Sequence, residues 1–582
     1  MTDQRNLILA IVLSIAILLG FQLLYEGPRV QQRQAAQQAQ QQSEQMAGVP
    51  SSSTSAPPAA GGQDMAKDRT QLIAEQFAAG QRVKIDTPSL HGSVNLVGGR
   101  LDDLTLATYH ETIDPASPEV VLLSPAASES PYYAEFGWIA EGQAAAAPGP
   151  DARWTLASPA TLTPDSPLTL TWDNGQGLVF ERVISVDREF LLTVSQKVRN
   201  AGTTAAHLLP YGLVSRHGTP KIAGNYLQHE GPLGVLEGRL VEEKYADLKT
   251  AGTVSRKSVG GWIGITDKYW LVSLIPDSQD EVNARFLHTT RGPQDRYQVD
   301  VMAPAVDVAP GATAQTTTRL FAGAKLVHLL DAYADRFNIT NFDKAIDFGW
   351  FYYITRPFFY ALDFLARLFG NFGVAILVFT VIVKAAFYPL ANRSYQAMSK
   401  MKALQPEMQK LRERFDDDKT RMNQELMALY KREQVNPVAG CLPILIQIPV
   451  FFALYKVLFV TIEMRQAPFF GWIHDLSVAD PTTVFNLFGV IPWTPPSMLQ
   501  LGAWPLIMGV TMWLQQKLNP APPDPVQQKV FAFLPIMFTF MLASFPAGLV
   551  IYWAWNNFLS IIQQWSIMRQ TAAAGRSKAK AA

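Results

Sequence analysis

The chain has a single cysteine, Cys441. No intramolecular disulfide is possible, and no Cys-rich zinc or iron–sulfur site. Any part outside the cytoplasm must be stable without cross-links. Net charge is also lacking: 49 Lys and Arg balance 49 Asp and Glu. That excludes a globally basic nucleic-acid binder, and so specific DNA binding, but leaves room for local basic patches. Charge of either sign is scarce, at 17% of 582 residues against roughly 25% in ordinary usage. Long segments must therefore be free of it. There is no GxxxxGK[ST] loop for a nucleotide. None of the eight histidines has HxH, HExxH or HxxxH spacing. They read as scattered structural or solvent-facing groups, and no metal, cofactor or catalytic cluster is expected.

The charge-free segments organise the chain. Asn6 to Tyr25 has no charge after Arg5. Twenty residues at 1.5 Å rise span ~30 Å, the thickness of a bilayer core. The run exceeds a usual signal-peptide h-region, and FQLLYEGPR offers no small-x-small cleavage site. Residues 1–28 read as an uncleaved signal anchor. Residues 29–67, with QQRQAAQQAQQQSEQ and SSSTSAPPAAGGQ, are too polar to offset ordering entropy and read as a disordered linker. Residues 68–341 alternate apolar and polar residues over short runs, as in VKIDTPSLHGSVNLVGGRL and LTLTWDNGQGLVFERVISV. Asp173-Asn174-Gly175 marks a hairpin turn. This texture predicts a large antiparallel β-sandwich. Residues 342–369 are aromatic and interrupted by Arg356, Asp363 and Arg367. They read as an amphipathic helix lying at the membrane interface, with a packed core helix as the alternative.

Further crossings are predicted at 370–390, 437–462 and 498–517, with a helical hairpin at 530–569 broken at Ser544-Phe545-Pro546-Ala547-Gly548. With the anchor this makes six. Arg393 to Arg432 holds ten cations, and the 518–529 loop and 570–582 tail are also basic or flanked by lysine, whereas 463–497 has only Arg465 and no lysine. The positive-inside rule places both termini and the basic loops in the cytoplasm, with the sandwich and the 463–497 loop outside.

Lys384 falls inside the 370–390 crossing, where a charge costs ~2.5–3.5 kcal/mol near the centre. Either the side chain snorkels to the headgroups or it faces a wet cavity. Thr380 and Tyr388, at i−4 and i+4, predict a shared polar face. Gln447, Asn556, Asn557 and Ser560 are polar groups in other crossings that the same cavity would satisfy. No His, Asp or Glu lies deep in a crossing, which argues against an intramembrane protease and a proton relay. A lone cation suits attraction of something negative or polar.

Residues 391–436 predict a cytoplasmic helical hairpin. Met398, Met401, Leu404, Met408 and Leu411 recur every three or four residues, as do Met422, Leu426 and Leu429. Pro406 is expected to bend the first helix, and Asp416 to Asp418 to cap the second. The methionines pack the hairpin, or their flexible side chains meet varied apolar segments. The cations suit anionic lipid or ribosomal RNA.

The runs YPL, SYQAMSKMKALQPEMQKLRER, QELMALYKREQVNPVAGCLPILIQIPVFFALYKVL, RQAPFFGWIHDLSVADP and FPAGLVIYWAWNN resemble the YidC/Oxa/Alb family of membrane protein insertases. The anchor, Gln-rich linker and sandwich are similar to its Gram-negative branch. The resemblance implies a six-span protein of the bacterial inner membrane with a five-helix core and a periplasmic β-supersandwich. It implies an insertase and chaperone, not an enzyme, that acts on nascent membrane proteins, alone or with the Sec translocon; the ribosome as a further partner rests on the cations of the 391–436 hairpin. It implies a cytoplasm-open hydrophilic groove. The family's basic groove residue, usually Arg, falls here on Lys384, which keeps the charge but loses the guanidinium fork. Substrate-path positions fall on Thr380, Gln447, Phe451 and Tyr552. The alternative is a transporter or channel using Lys384 as a solute site.

Overall fold

The computed structural model describes residues 68–581 apart from 142–146, 159, 221–227, 292–293, 350, 416–417, 434, 436–441, 492, 494, 497–499 and 520–524. The expected anchor (1–28) and linker (29–67) lie outside the described residues, as do Asp416 and Asp417.

The alternating segment forms two sheets, of eleven and nine strands. Strand Leu178–Val186 alternates buried and partly buried residues along its whole length and pairs antiparallel with Leu191–Asn200. That period of two is what one sheet face turned to a core requires. The predicted Asp173-Asn174-Gly175 turn joins Leu168–Asp173 to Leu178–Val186, with Asn174 Oδ1 accepting from the backbone of Gln176 and Leu178. Pairing is antiparallel throughout except between Arg82–Asp86 and Thr161–Leu162. Three helices accompany the sheets: α1 (Arg69–Ala78), α2 (Tyr245–Ala251) and α3 (Val327–Phe337).

Arg182 is among the cations that the sandwich buries. Arg182 donates to the carbonyls of Gly98, Gly99 and Phe136, and its guanidinium lies 4.4 Å from the Trp154 ring centre. Gly99 has φ +60, and a Cβ there would collide with the guanidinium. The VGGRL turn is therefore glycine for two reasons, backbone conformation and space. Burial pushes the Arg182 guanidinium down to about 10.

The helical part follows as α4 (Tyr352–Phe369), α5 (Phe372–Ala386), α6 (Tyr388–Ala403), α7 (Gln405–Arg414), α8 (Lys419–Arg432), α9 (Leu442–Val460), α10 (Ala503–Leu518), α11 (Pro525–Leu542) and α12 (Ala547–Ala581). Among the described residues no single helix is long and apolar enough to cross a membrane; α5 and α6 together are, and they bend by 69°. Asn371 caps α5 by accepting from the Val374 N–H, and Gly370 in the left-handed region ends α4. Gly509 on α10 sits so close to Thr539 on α11 that a Cβ there would clash, the small-residue contact by which apolar helices approach. One continuous apolar cluster runs from the sandwich through α3 and Phe342–Phe348 into α4, α5, α9 and α12.

Several boundaries differ from the expectation. The 342–369 segment has a 3-10 turn at Phe342–Ala345 and becomes α-helical only from Tyr352. One face of α4 buries Phe359, Leu362 and Leu365, while Tyr353, Phe364 and Leu368 stay exposed. The 370–390 segment is not one helix, because Pro389 occupies the first turn of α6 and the chain breaks at Phe387. Tyr388 therefore does not continue Lys384's face. Pro406 does not bend a helix but starts α7 after a break at Leu404. The methionines consequently part company. Met408 packs with Leu426, Leu429 and Met422 between α7 and α8, whereas Met398 packs with Tyr395 and Ile567 of α12. Met401 is half-buried and belongs to neither cluster. Asp418 caps α8 through the Arg421 N–H.

Candidate functional site

Residues of α5, α6, α9, α10, α11 and α12 line an open cavity of about 430 Å³. Lys384 projects into it two residues before α5 ends, and its ammonium donates to Ser560 Oγ at 2.7 Å. Ser560 Oγ in turn donates to the Asn556 carbonyl. Among the described residues no ion pair and no charged neighbour is found for Lys384. A cation drawn from bulk water and given one hydroxyl still has two N–H groups to donate. They are available to an incoming acceptor or to water.

Gln447 on α9 donates through Nε2 to Tyr552 Oη at 2.6 Å. Asn556, one turn beyond Tyr552 on α12, also lines the cavity, and its Oδ1 is buried without a partner. Phe451 stacks at 4.4 Å on Trp553, and with Phe531 and Phe538 makes an aromatic wall. Gln515, Gln516 and Asn519 line the end nearest the α10 C-terminus, where Asn519 accepts from Gln564. The lining thus interleaves a few donors and acceptors with aromatic rings.

Of the residues singled out from the sequence, Lys384, Gln447, Phe451, Tyr552, Asn556, Ser560 and Met398 line this cavity. Thr380 does not. It is buried and donates its hydroxyl to the Ile376 carbonyl of its own helix, a local bond open to any helical threonine. Asn557 does not either, and faces Thr511 instead. Met401, Met408 and Met422 lie away from it. Of the three polar α12 residues read from the sequence, Asn556 and Ser560 line the cavity. They fall at i+4 and i+8 from Tyr552, and this spacing on one face was the available signal; Asn557 is about 100° round the helix. Trp553 and the α11 aromatics carried no such signal.

Tyr552→Phe removes the acceptor of the Gln447 amide. The amide still faces an open cavity, so destabilisation of only about 0.5–1.5 kcal/mol is expected, readable as a small fall in the thermal midpoint of the detergent-solubilised chain.

Two family models cover nearly all of the described chain. The YidC periplasmic domain matches residues 82–361, and the 60Kd inner membrane protein model matches 364–574. A membrane protein insertase YidC from Methylobacterium nodulans is 54% identical over 581 residues, 98% of this chain and 95% of that protein. The chain belongs to the YidC family of membrane protein insertases. A relative of the same name from Bradyrhizobium diazoefficiens is 50% identical over 98% of this chain and 97% of its own length. A crystal structure of an active YidC insertase with its first transmembrane domain resolved aligns over 83% of this chain and 92% of that one, at 15% identity and a TM-score of 0.35. In this family member the sandwich falls within the span of the periplasmic-domain model, and the cavity within that of the inner membrane protein model.

Proposed function

We propose that this chain is an insertase and chaperone that inserts and helps fold newly made membrane proteins in the bacterial inner membrane. The carrying observation is the Lys384 ammonium in a cavity lined by both polar and aromatic side chains, with no carboxylate against it among the described residues. The polar, often acidic, outward-bound part of a nascent segment enters beside Lys384, Gln447 and Asn556. This shortens the dehydrated path that it crosses. The apolar part leaves along Phe451 and Tyr552 towards lipid, driven by its own burial at ~25 cal/mol per Å². No step breaks a covalent bond.

In this reading the chain crosses the membrane six times, with 1–28 as anchor and α4 at the outer interface. Both termini and the α7–α8 hairpin face the cytoplasm. The exposed Met427 and the half-buried Met422 of α8 make the hairpin a first contact for apolar segments leaving the ribosome. Larger substrates are shared with the Sec translocon. The test is reconstitution of the full chain alone into liposomes with a purified single-span substrate. Protease-protected substrate is expected without added nucleotide and without Sec components. Solute flux through the same vesicles without substrate insertion would favour a channel instead.

A further inference from the structure

The sandwich meets the helical unit along a polar seam at the outer end of α9. There Lys456 pairs with Asp347 at 2.9 Å, Arg465 donates to the His110 carbonyl at 2.6 Å, and the Lys268 ammonium lies 4.0 Å from the Phe459 ring centre. Glu463 differs from these contacts. Helix α3 begins at Leu326, which has no side chain to cap it. Glu463, 136 residues away in sequence, supplies the missing acceptor: its Oε1 takes the Val327 N–H at 3.1 Å. The cap of a helix packed on the sandwich thus comes from the loop that follows a helix of the membrane unit. The other oxygen, Oε2, is buried and has no hydrogen-bond partner among the described residues.

We propose that Glu463 is a proton-operated clasp, holding the sandwich on the helical unit when protonated and loosening that seam when it ionises. A neutral carboxyl keeps Oε1 as acceptor for Val327 and leaves no charge on the stranded oxygen. The ionised form places half of a buried charge on that oxygen. Burial accordingly outweighs the two backbone N–H groups, its own and that of Val327, and pushes the carboxyl up to about 7. The charged groups facing it are Asp363 on α4, which disfavours its ionisation, and His328 on α3, which favours it. Asp363 itself is held by His328 at 2.8 Å and by Arg367 at 2.7 Å. From the sandwich, Tyr109 faces it, with Arg465 and Glu189 close to that phenol.

The sign follows from linkage. The docked state binds the proton more tightly than a solvated glutamate, whose ordinary value is 4.5. Docking is therefore favoured below about 7 and weakens as pH rises through it. Between pH 5 and 8 the seam's opening equilibrium is expected to rise on the order of 10- to 100-fold. This inference concerns the joint between the two units and stands whether or not Lys384 handles substrate.

The experiment is hydrogen exchange on the full chain in lipid nanodiscs at pH 5 and pH 8, corrected for intrinsic exchange. Peptides covering Val327–Leu330 and Thr461–Ala467 are expected to lose protection at pH 8, while strand Leu178–Val186 does not change. Glu463→Gln keeps the acceptor and cannot titrate, so its protection is expected to be the same at both pH values. His328→Asn is expected to keep the wild-type response. The proposal is overturned if wild-type protection is unchanged between the two pH values, a result that needs no variant to fold. It is equally overturned if Glu463→Gln retains the full pH response, or if His328→Asn abolishes it.

Discussion

Lys384→Glu is expected to reduce insertion of a single-span substrate with an acidic outward-bound tail by at least about tenfold, whereas Lys384→Arg stays near wild type. The argument is electrostatic. At an effective dielectric near 20, unit charges 4 Å apart interact by about 4 kcal/mol, and every 1.4 kcal/mol is about tenfold. Even after water in the cavity screens most of that, reversal of the sign turns an attraction into a repulsion of useful size. The cavity offers the tail no competing carboxylate among the described residues, and Ser560 binds only one of the ammonium's hydrogens. Lys384→Ala is expected to fall between the two. Arginine keeps the charge and can still reach Ser560 and Tyr395, although its fork is wider than an ammonium. The measurement is protease protection in proteoliposomes with paired substrates that differ only in tail charge. A neutral-tailed substrate should respond little to any of the three changes. If Lys384→Ala inserts the acidic-tailed substrate as well as wild type, charge attraction has no role in the groove.

The second large effect is on stability. Arg182→Ala is expected to destabilise the sandwich by about 3–5 kcal/mol. Three carbonyls, of Gly98, Gly99 and Phe136, would lose their donor inside the core, and an unmade buried hydrogen bond is penalised more than a made one contributes. The ring of Trp154 would also lose the guanidinium that covers it. Removing a desolvated cation recovers part of this, which keeps the figure well below the sum of the lost bonds. Arg182→Met separates volume from hydrogen bonding. It fills much of the space yet donates nothing, so it should rescue only the packing part. Thermal unfolding followed by near-ultraviolet circular dichroism reads the sandwich. Insertion by folded molecules is not expected to change, because Arg182 lies in the sandwich and the cavity residues do not.

Much of the architecture was legible because it rests on local periodicity. Strands with a period of two, such as Leu178–Val186, follow from alternation alone. The break expected at Ser544-Phe545-Pro546-Ala547-Gly548 was readable because Pro and Gly punctuate a helix, and the structure ends α11 at Leu542 and starts α12 at Ala547, directly after Pro546. Lys384 stood out because a charge in an apolar run has to be satisfied somewhere. Helix phase was less legible. Pro389 and Pro406 were visible as residues, but whether each bends a helix or starts a new one depends on what the freed backbone packs against. The single helix expected over Ala391–Arg414 became α6 and α7, and with it one Met stripe became two unrelated contacts.

What the sequence determined by itself was composition and order: where charge is absent, where it is concentrated, and that an unpaired lysine sits in an apolar stretch. Only the tertiary structure decided partners. Ser560 is 176 residues from Lys384, and Glu463 caps a helix 136 residues before it. Asn556 rather than its neighbour Asn557 lines the cavity, and Arg182 is held by carbonyls from one distant turn and one distant strand. Such choices depend on distances across packed elements, and rotating a helix by one residue exchanges them without altering any local preference.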